Sequence, residues 1–318
     1  MVRAASNNFI ALYDTRNWRW LADRVKSILA LHRILLSILL AAIAFTQDAR
    51  IVLLGTGTPN PEPERSGPAV AVIAGSRVYV VDFGPGVVRR AASAGITMKQ
   101  LTHGFVTHLH SDHTIGLPDF IFTPAVTGRS EPLQLFGPPG LRAMTANIMK
   151  AWKQDIDIRL HGMEPSIRDA YVVKAQDVRP GEIYRDDTVR VIAFAVDHGT
   201  WKHAYGYRFE IGAKVFVISG DTTFSEKLIA AAKGADILVH EVYSEKGWNS
   251  RTPDWKKYHA AFHTSGPDVG RVATKAGVKK LVLYHQLPMG QKPEQILEEV
   301  RSTFTGEVFY GKDLDVIK

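Results

Sequence analysis

The chain has 318 residues, 45% of them apolar and 22% charged, a composition ordinary for a globular protein with room for a sizeable core. It contains no cysteine, which excludes disulfides, zinc–thiolate sites and a cysteine nucleophile. The net charge of +7 suggests nucleic acid only until it is located: residues 1–50 hold seven Lys/Arg against three acids, so they carry +4 and the rest of the chain only +3.

The first element is "RILLSILLAAIAFTQDA" (33–49), apolar from 34 to 45 apart from Ser37. It is too short for a comfortable membrane span. It fits the core of a signal peptide, with Ala42-Ile43-Ala44 as a small-x-small cleavage site, or an uncleaved membrane anchor. Asp14 and Asp23, in a long leader, fit export poorly. The expectation is an N-terminal segment over 1–49 that touches the membrane transiently and directs export to the periplasm. Without export the protein is cytoplasmic. The remainder, 50–318, is expected to be one catalytic domain.

From residue 50 strands and helices alternate. Strands are predicted at 50–55, 69–75, 77–84, 103–108, 132–137, 170–175, 188–196, 204–211, 214–219, 235–242, 279–286 and 307–310. Helices are predicted at 86–95, 114–122, 139–152, 225–234, 264–277 and 292–302, with Ser225 as an N-cap and Gly277 as a stop. Several strands, such as "KVFVISG" and "KLVLYH", are apolar on both faces, so each must be covered on both sides. The polar motifs fall where strands end, the usual place for ligand sites in open α/β sheets.

The densest of these motifs is "FVTHLHSDHTIGLPD" (105–119), with His108, His110, Asp112 and His113 inside six residues. Side chains at i and i+2 of a strand end point the same way, so His108 and His110 should converge. Imidazole and carboxylate without sulfur suit zinc, with manganese or iron as alternatives. Four ligands in six residues exceed one open catalytic site and suggest two metals. Further ligands stand at other strand ends: His198 in "AVDHGTW", Asp221 in "VISGDTTF" and His285 in "LVLYHQLP". The remaining histidines His32, His103, His161, His203 and His259 read as surface or packing residues.

These pieces resemble the metallo-β-lactamase superfamily in its ribonuclease Z and arylsulfatase-like branch. The resemblance is carried by "LLGTGTPNP" (53–61), "VDFGPG" (81–86), "THLHSDHTIGLPD" (107–119), "HGTWKHAYGYRFE" (198–210), "ISGDT" (218–222), "VHEVY" (239–243), "FHTS" (262–265) and "LYHQ" (283–286). It covers roughly residues 51–290. It implies a four-layer αββα sandwich of two mixed β-sheets flanked by helices, and two Zn²⁺ ions. It also implies that His108, His110 and His198 hold one metal, that Asp112, His113 and His285 hold the other, and that Asp221 bridges them.

A bridging hydroxide would then be the nucleophile, oriented by Asp112. The resemblance makes His263 the general acid for the leaving group, kept protonated and aimed by Glu241.

For the substrate, the expectation is a small-molecule phosphodiester or sulfate ester. Nucleic acid is not favoured, because the long basic arm of tRNA 3′-processing enzymes has no counterpart here. Residues 141–170 hold five bases against four acids. The alternatives are a tRNA 3′-processing endonuclease, a β-lactam or lactone hydrolase, and a metal-bound binding protein. The loop 246–262 is expected to wall the pocket with Trp248, Trp255, Tyr258 and Phe262, and the stiff loop 59–68 to bring Arg65 near an anionic substrate. Relatives of this kind often dimerise, so a homodimer is expected.

Overall fold

The computed structural model describes residues 49–318, together with Arg24, Leu29 and His32. The expected export segment therefore lies outside the described residues, apart from Ala49. No helix among the described residues is long and apolar enough to cross a membrane.

In chain order the strands are β1 (Ala49–Gly55), β2 (Ala69–Ala74), β3 (Arg77–Val81), β4 (His103–Phe105), β5 (Leu133–Gly137), β6 (Val173–Asp177), β7 (Gly181–Arg185), β8 (Arg190–Ala195), β9 (Tyr205–Ile211), β10 (Lys214–Ile218), β11 (Ile237–Tyr243), β12 (Lys280–Leu287), β13 (Glu307–Tyr310) and β14 (Val316–Ile317). The helices are α1 (Val87–Ser93), α2 (Ser111–Thr114), α3 (Leu117–Thr127), α4 (Leu141–Ala151), α5 (Lys153–His161), α6 (Glu226–Ala231), α7 (Glu245–Asn249), α8 (Pro253–Phe262), α9 (Gly266–Ala276) and α10 (Pro293–Arg301).

Two seven-stranded sheets result, in the orders β14-β1-β2-β3-β4-β5-β6 and β13-β12-β11-β10-β9-β8-β7. Both are mixed. In the first, antiparallel pairing from β14 to β3 gives way to parallel pairing from β3 to β6. In the second, β7 to β10 pair antiparallel and β10 to β13 parallel.

Alternation along the strands sorts the side chains into three apolar layers. Leu53, Val72, Phe105, Phe209, Phe216 and Tyr284 lie in the layer between the sheets. Val52, Ala71 and Val80 face outward with α1 and α3. Leu238 and Leu281 face outward with α9 and α10, whose Val269, Val272, Ile296 and Val300 are buried. The four-layer αββα sandwich follows, because each sheet is apolar on both faces and only this arrangement covers all four.

The structure corrects several elements. The predicted strand 170–175 opens with a 3₁₀ turn, Arg168–Tyr171, before β6. The strand predicted to run to 108 ends at Phe105, so the histidine motif is a loop. The reach 246–262, expected as a loop, contains α7 and α8, the latter with Pro253 in its first turn. The α5 helix was not predicted either. It buries no residue and draws on the pairs Lys153–Asp157 and Arg159–Asp155, so no apolar stripe announces it.

Candidate metal centre

Six of the candidate ligands follow the end of a strand, and His285 lies within one. β4 ends and the chain turns through His108 and His110 into the short α2, which carries Asp112 and His113. His198 follows β8. Asp221 follows β10, after Gly220 at φ +61, where an added Cβ would meet the Tyr205 carbonyl oxygen at 2.6 Å. His285 lies inside β12 at a bulge: Glu241 pairs with Tyr284 and Val242 with Gln286, which leaves His285 as the extra residue. Its φ of +43 is the strained conformation that turns the side chain into the site.

The structure brings all seven together. The ligand atoms of His108, His110, His198 and Asp221 lie within 4.8 Å of one another, and so do those of Asp112, His113 and His285. Asp221 Oδ2 is 3.1 Å from His285 Nε2, 3.4 Å from His113 Nε2, 3.9 Å from His108 Nε2 and 4.0 Å from His198 Nε2. Its position between the two groups suits a bridging ligand.

Four imidazoles are held by the nitrogen that points away from this centre. His113 Nδ1 faces Asp82 Oδ2 at 2.8 Å, His198 Nδ1 the Phe262 carbonyl at 2.6 Å, and His285 Nδ1 the Gly57 carbonyl at 2.8 Å. His108 Nδ1 faces the Thr107 hydroxyl at 3.0 Å, and that hydroxyl gives its proton to Asp82. Every one of these partners is an acceptor, so each Nδ1 carries the proton and each Nε2 presents a lone pair inward. Four inward lone pairs around a buried carboxylate repel one another unless positive charge lies between them. Asp221 Oδ1 is also buried with no hydrogen-bond partner. The donor set therefore fits a pair of cations.

The carboxylates give the centre a pull toward positive charge. Burial pushes the Asp221 carboxyl upward, but His285 and His113 outweigh it and hold the group well below the usual carboxylate range. Burial depresses His113, yet Asp221, Asp82 and Asp112 lift it well above its ordinary value. His108 and His198 go the other way, chiefly through burial, His198 to about 4.

Beyond the ligands, His263 caps the C-terminus of α8, with Nδ1 3.3 Å from Glu241 Oε2 and 3.9 Å from Asp221 Oδ2. Glu241 accepts from the Thr264 N–H through Oε1. Burial pulls His263 down to about 4, and burial followed by the Asp221 charge pushes Glu241 well above its ordinary value. At 3.3 Å the two side chains titrate as a coupled pair.

A cavity of about 620 Å³ opens over the centre, lined by His110, Asp112, Asp221, His263 and His285 among others. Two expectations about its walls need correction. Trp255 and Tyr258 line it, but Trp248 bonds the Lys256 carbonyl, and Phe262 packs behind the ligands against His198. Arg65 is not free for a substrate. It is tied to Glu62, to Gln286 Oε1 at 2.6 Å and to the Thr56 carbonyl. The cation on the cavity wall is Arg251.

A family model described as "Beta-lactamase superfamily domain" matches residues 77–286. This chain belongs to the metallo-β-lactamase superfamily, in its ribonuclease Z-like branch. Ribonuclease Z of Mycobacterium bovis (strain BCG / Pasteur 1173P2) is 33% identical over 270 residues, 83% of this chain and 96% of that protein. Ribonuclease Z of Mycobacterium sp. (strain KMS) is 35% identical over 240 residues, 75% of this chain and 84% of that one. Among solved structures, the metallo-β-lactamase fold protein YhfI from Bacillus subtilis superposes with TM-score 0.65 at 19% identity, covering 85% of this chain and 99% of its own. Human tRNase Z, short form, superposes with TM-score 0.64 at 22% identity, covering 85% and 98%. These two likenesses show the fold.

Two residues of this superfamily member escaped the sequence reading. Asp82, at φ +62 just past β3, grips both His113 and Thr107. Its signal was its place in "VDFGPG", but nothing local links an aspartate at 82 to a histidine at 113. Trp201 places its indole nitrogen 2.8 Å from His110 Nε2, on the side away from the centre, and His110 Nδ1 faces His108 Nε2 at 2.9 Å and His198 Nε2 at 3.2 Å. His108 and His110 therefore converge as expected, but through different ring nitrogens.

Proposed function

We propose that this metallo-β-lactamase-fold hydrolase cleaves a phosphodiester bond with two zinc ions, as an RNA-processing enzyme of the ribonuclease Z type. The observation that carries the bond type is the pairing of a carboxylate-linked double cation site with a buried His–Glu pair on the same cavity. Relatives that match almost end to end are named ribonuclease Z, which supports RNA over the small-molecule ester that the sequence favoured.

The roles divide as follows. When bound, the ions act as Lewis acids on phosphoryl oxygens and lower the pKa of water. His108, His110, His198 and Asp221 would hold one, and Asp112, His113 and His285 the other, with Asp221 placed between the two groups. Asp112 Oδ2, 3.6 Å from both His113 Nε2 and His285 Nε2 and lining the cavity, orients the attacking water and takes its proton. The His263–Glu241 pair gives a proton to the departing oxygen.

A small phosphodiester or sulfate ester remains the second reading, favoured by one observation. The basic residues Lys153 and Arg159, in the stretch 141–170, are already paired with Asp157, Asp155 and Glu164. RNA processing places the work in the cytoplasm. Export of a small-ester hydrolase rests on residues 33–49 alone.

The test compares zinc-loaded protein on a 3′-extended pre-tRNA with bis-p-nitrophenyl phosphate and p-nitrophenyl sulfate. Cleavage of the pre-tRNA with kcat/KM well above both small esters is expected. A pre-tRNA left intact by protein that turns over the small esters reverses the order of the two readings.

A further inference from the structure

We propose that Arg251, with Trp255, binds the leaving group of the substrate, and that this leaving group is a nucleotide unit carrying a second phosphate. The inference rests on the phosphodiesterase reading above and goes beyond it by assigning the recognition residues and what they select.

Among the described residues, the Arg251 guanidinium makes no ion pair and no side-chain hydrogen bond. The other charges around the cavity are engaged. Glu62 is paired with Arg65, and Asp112 and Asp221 belong to the metal groups. A free guanidinium at the rim of a cavity that ends on a cation centre is suited to an anionic group some distance from the scissile bond. Its planar fork matches phosphate in particular.

The second observation is the wall beside it. Trp255, Tyr258 and His259 stand at i, i+3 and i+4 of α8, so they share one face, and all three line the cavity. Trp255 is 54% exposed and stacks on His259, with ring centroids 5.6 Å apart and 24° between planes. An indole exposed in the cavity that the free arginine also lines is a platform for a base near its phosphate. His259 is itself buried, and its Nδ1 finds no protein partner.

The third observation fixes which side of the bond this is. His263 is the C-terminal cap of the same helix, so α8 carries Arg251 just before its start and the acid at its end. A second groove, of about 460 Å³, runs from Ser111 and Asp112 along the loop 59–67 and Ile115, and His263 does not line it. The leaving oxygen must meet the acid, so the leaving group lies along α8 and the retained group along the proline loop.

The test uses zinc-loaded enzyme on ApA, on pApA and on ApAp, which place the extra phosphate on one nucleoside or the other, with bis-p-nitrophenyl phosphate as the reference diester. In the wild type, the extra phosphate on the nucleoside that departs with a free hydroxyl, identified from the ApA products, should raise kcat/KM over ApA by about ten-fold or more, and the extra phosphate on the other nucleoside should not. Arg251→Met should bring that ratio to within about two-fold of unity, and Arg251→Lys should leave it in between. Trp255→Ala should lower all three dinucleotides together and keep the ratio. Because each ratio is taken within one preparation, a reduced folded fraction cancels. A ratio near unity in the wild type, or one that survives Arg251→Met, overturns the inference while the phosphodiesterase reading stands. Failure to cleave any of the four diesters overturns the inference, and a pre-tRNA also left intact overturns both.

Discussion

Asp82 holds the imidazole of His113 through a 2.8 Å contact between Oδ2 and Nδ1, and the same carboxylate takes the backbone N–H and the hydroxyl of Thr107, one residue before His108. One buried carboxylate thus orients a ligand of each group, directly for His113 and through Thr107 for His108. Removing such a partner generally weakens metal binding by about 10–100-fold. Asp82→Asn should do so here, measured by competition with a chromogenic chelator. An affinity within two-fold of the wild type would mean that packing alone fixes both rings.

Asp221 should behave differently, because its Oδ2 touches both groups. Asp221→Ala is expected to lower the bound metal from two ions per chain and to cut kcat by about a thousand-fold or more. Elemental analysis after gel filtration gives the first quantity and steady-state kinetics the second. Two tightly held ions in the variant would contradict the bridging role.

The acid role of His263 predicts a dependence on the leaving group. His263→Ala should cost diesters of poorly leaving alcohols about 10²–10⁴-fold, and p-nitrophenyl esters far less, since p-nitrophenol departs without a proton. Glu241→Gln should follow the same pattern more weakly. Equal losses for both substrate types would remove the pair from proton transfer.

Among the described residues, Arg129 is a structural cation with no carboxylate partner. Its guanidinium is buried and donates to the carbonyls of Leu101, Phe120, Ile121 and Ala170, and burial lowers its pKa to about 10. It therefore stays charged at neutral pH and ties α3 to the turn before β6. Arg129→Met leaves four carbonyls short of a donor and should cost about 3 kcal/mol or more in urea unfolding. Arg129→Lys should recover little, because an ammonium cannot span all four. A loss under about 1 kcal/mol for Arg129→Met would show that water replaces it.

His240 gives a pH-dependent prediction. It is fully buried on β11 with Nε2 unpartnered, and burial lowers it from 6.5 to about 4. Between those values the unfolded chain binds a proton that the folded chain refuses, so stability falls as pH drops below 6.5 and this loss is complete near 4. Relative to the wild type, His240→Leu should be about 2 kcal/mol more favourable at pH 5 than at pH 8. Chemical unfolding at the two pH values measures it. A difference that does not change with pH would acquit His240.

All seven candidate ligands were legible in the chain because each stands in a short motif in or just after a strand. The spacing of His108, His110, Asp112 and His113 announces itself locally. Asp82 and Trp201 were not legible as parts of the site. Their partners lie 31 and 91 residues away, and only the folded chain brings them within hydrogen-bond distance. Arg65 was misassigned for the same reason: Gln286, which holds it, is 221 residues distant.

The sequence by itself determined the layers, since strands apolar on both faces admit few other coverings, and it determined which residue types meet at the strand ends. Tertiary structure alone decided which ring nitrogen points inward, that His285 sits on a bulge, and that α8 and the residues at its two ends place Arg251, Trp255 and His263 along one cavity. The physical reason is one of range. Periodicity and motif spacing reflect forces between near neighbours, whereas the direction of an imidazole is set by whatever acceptor the rest of the fold places behind it.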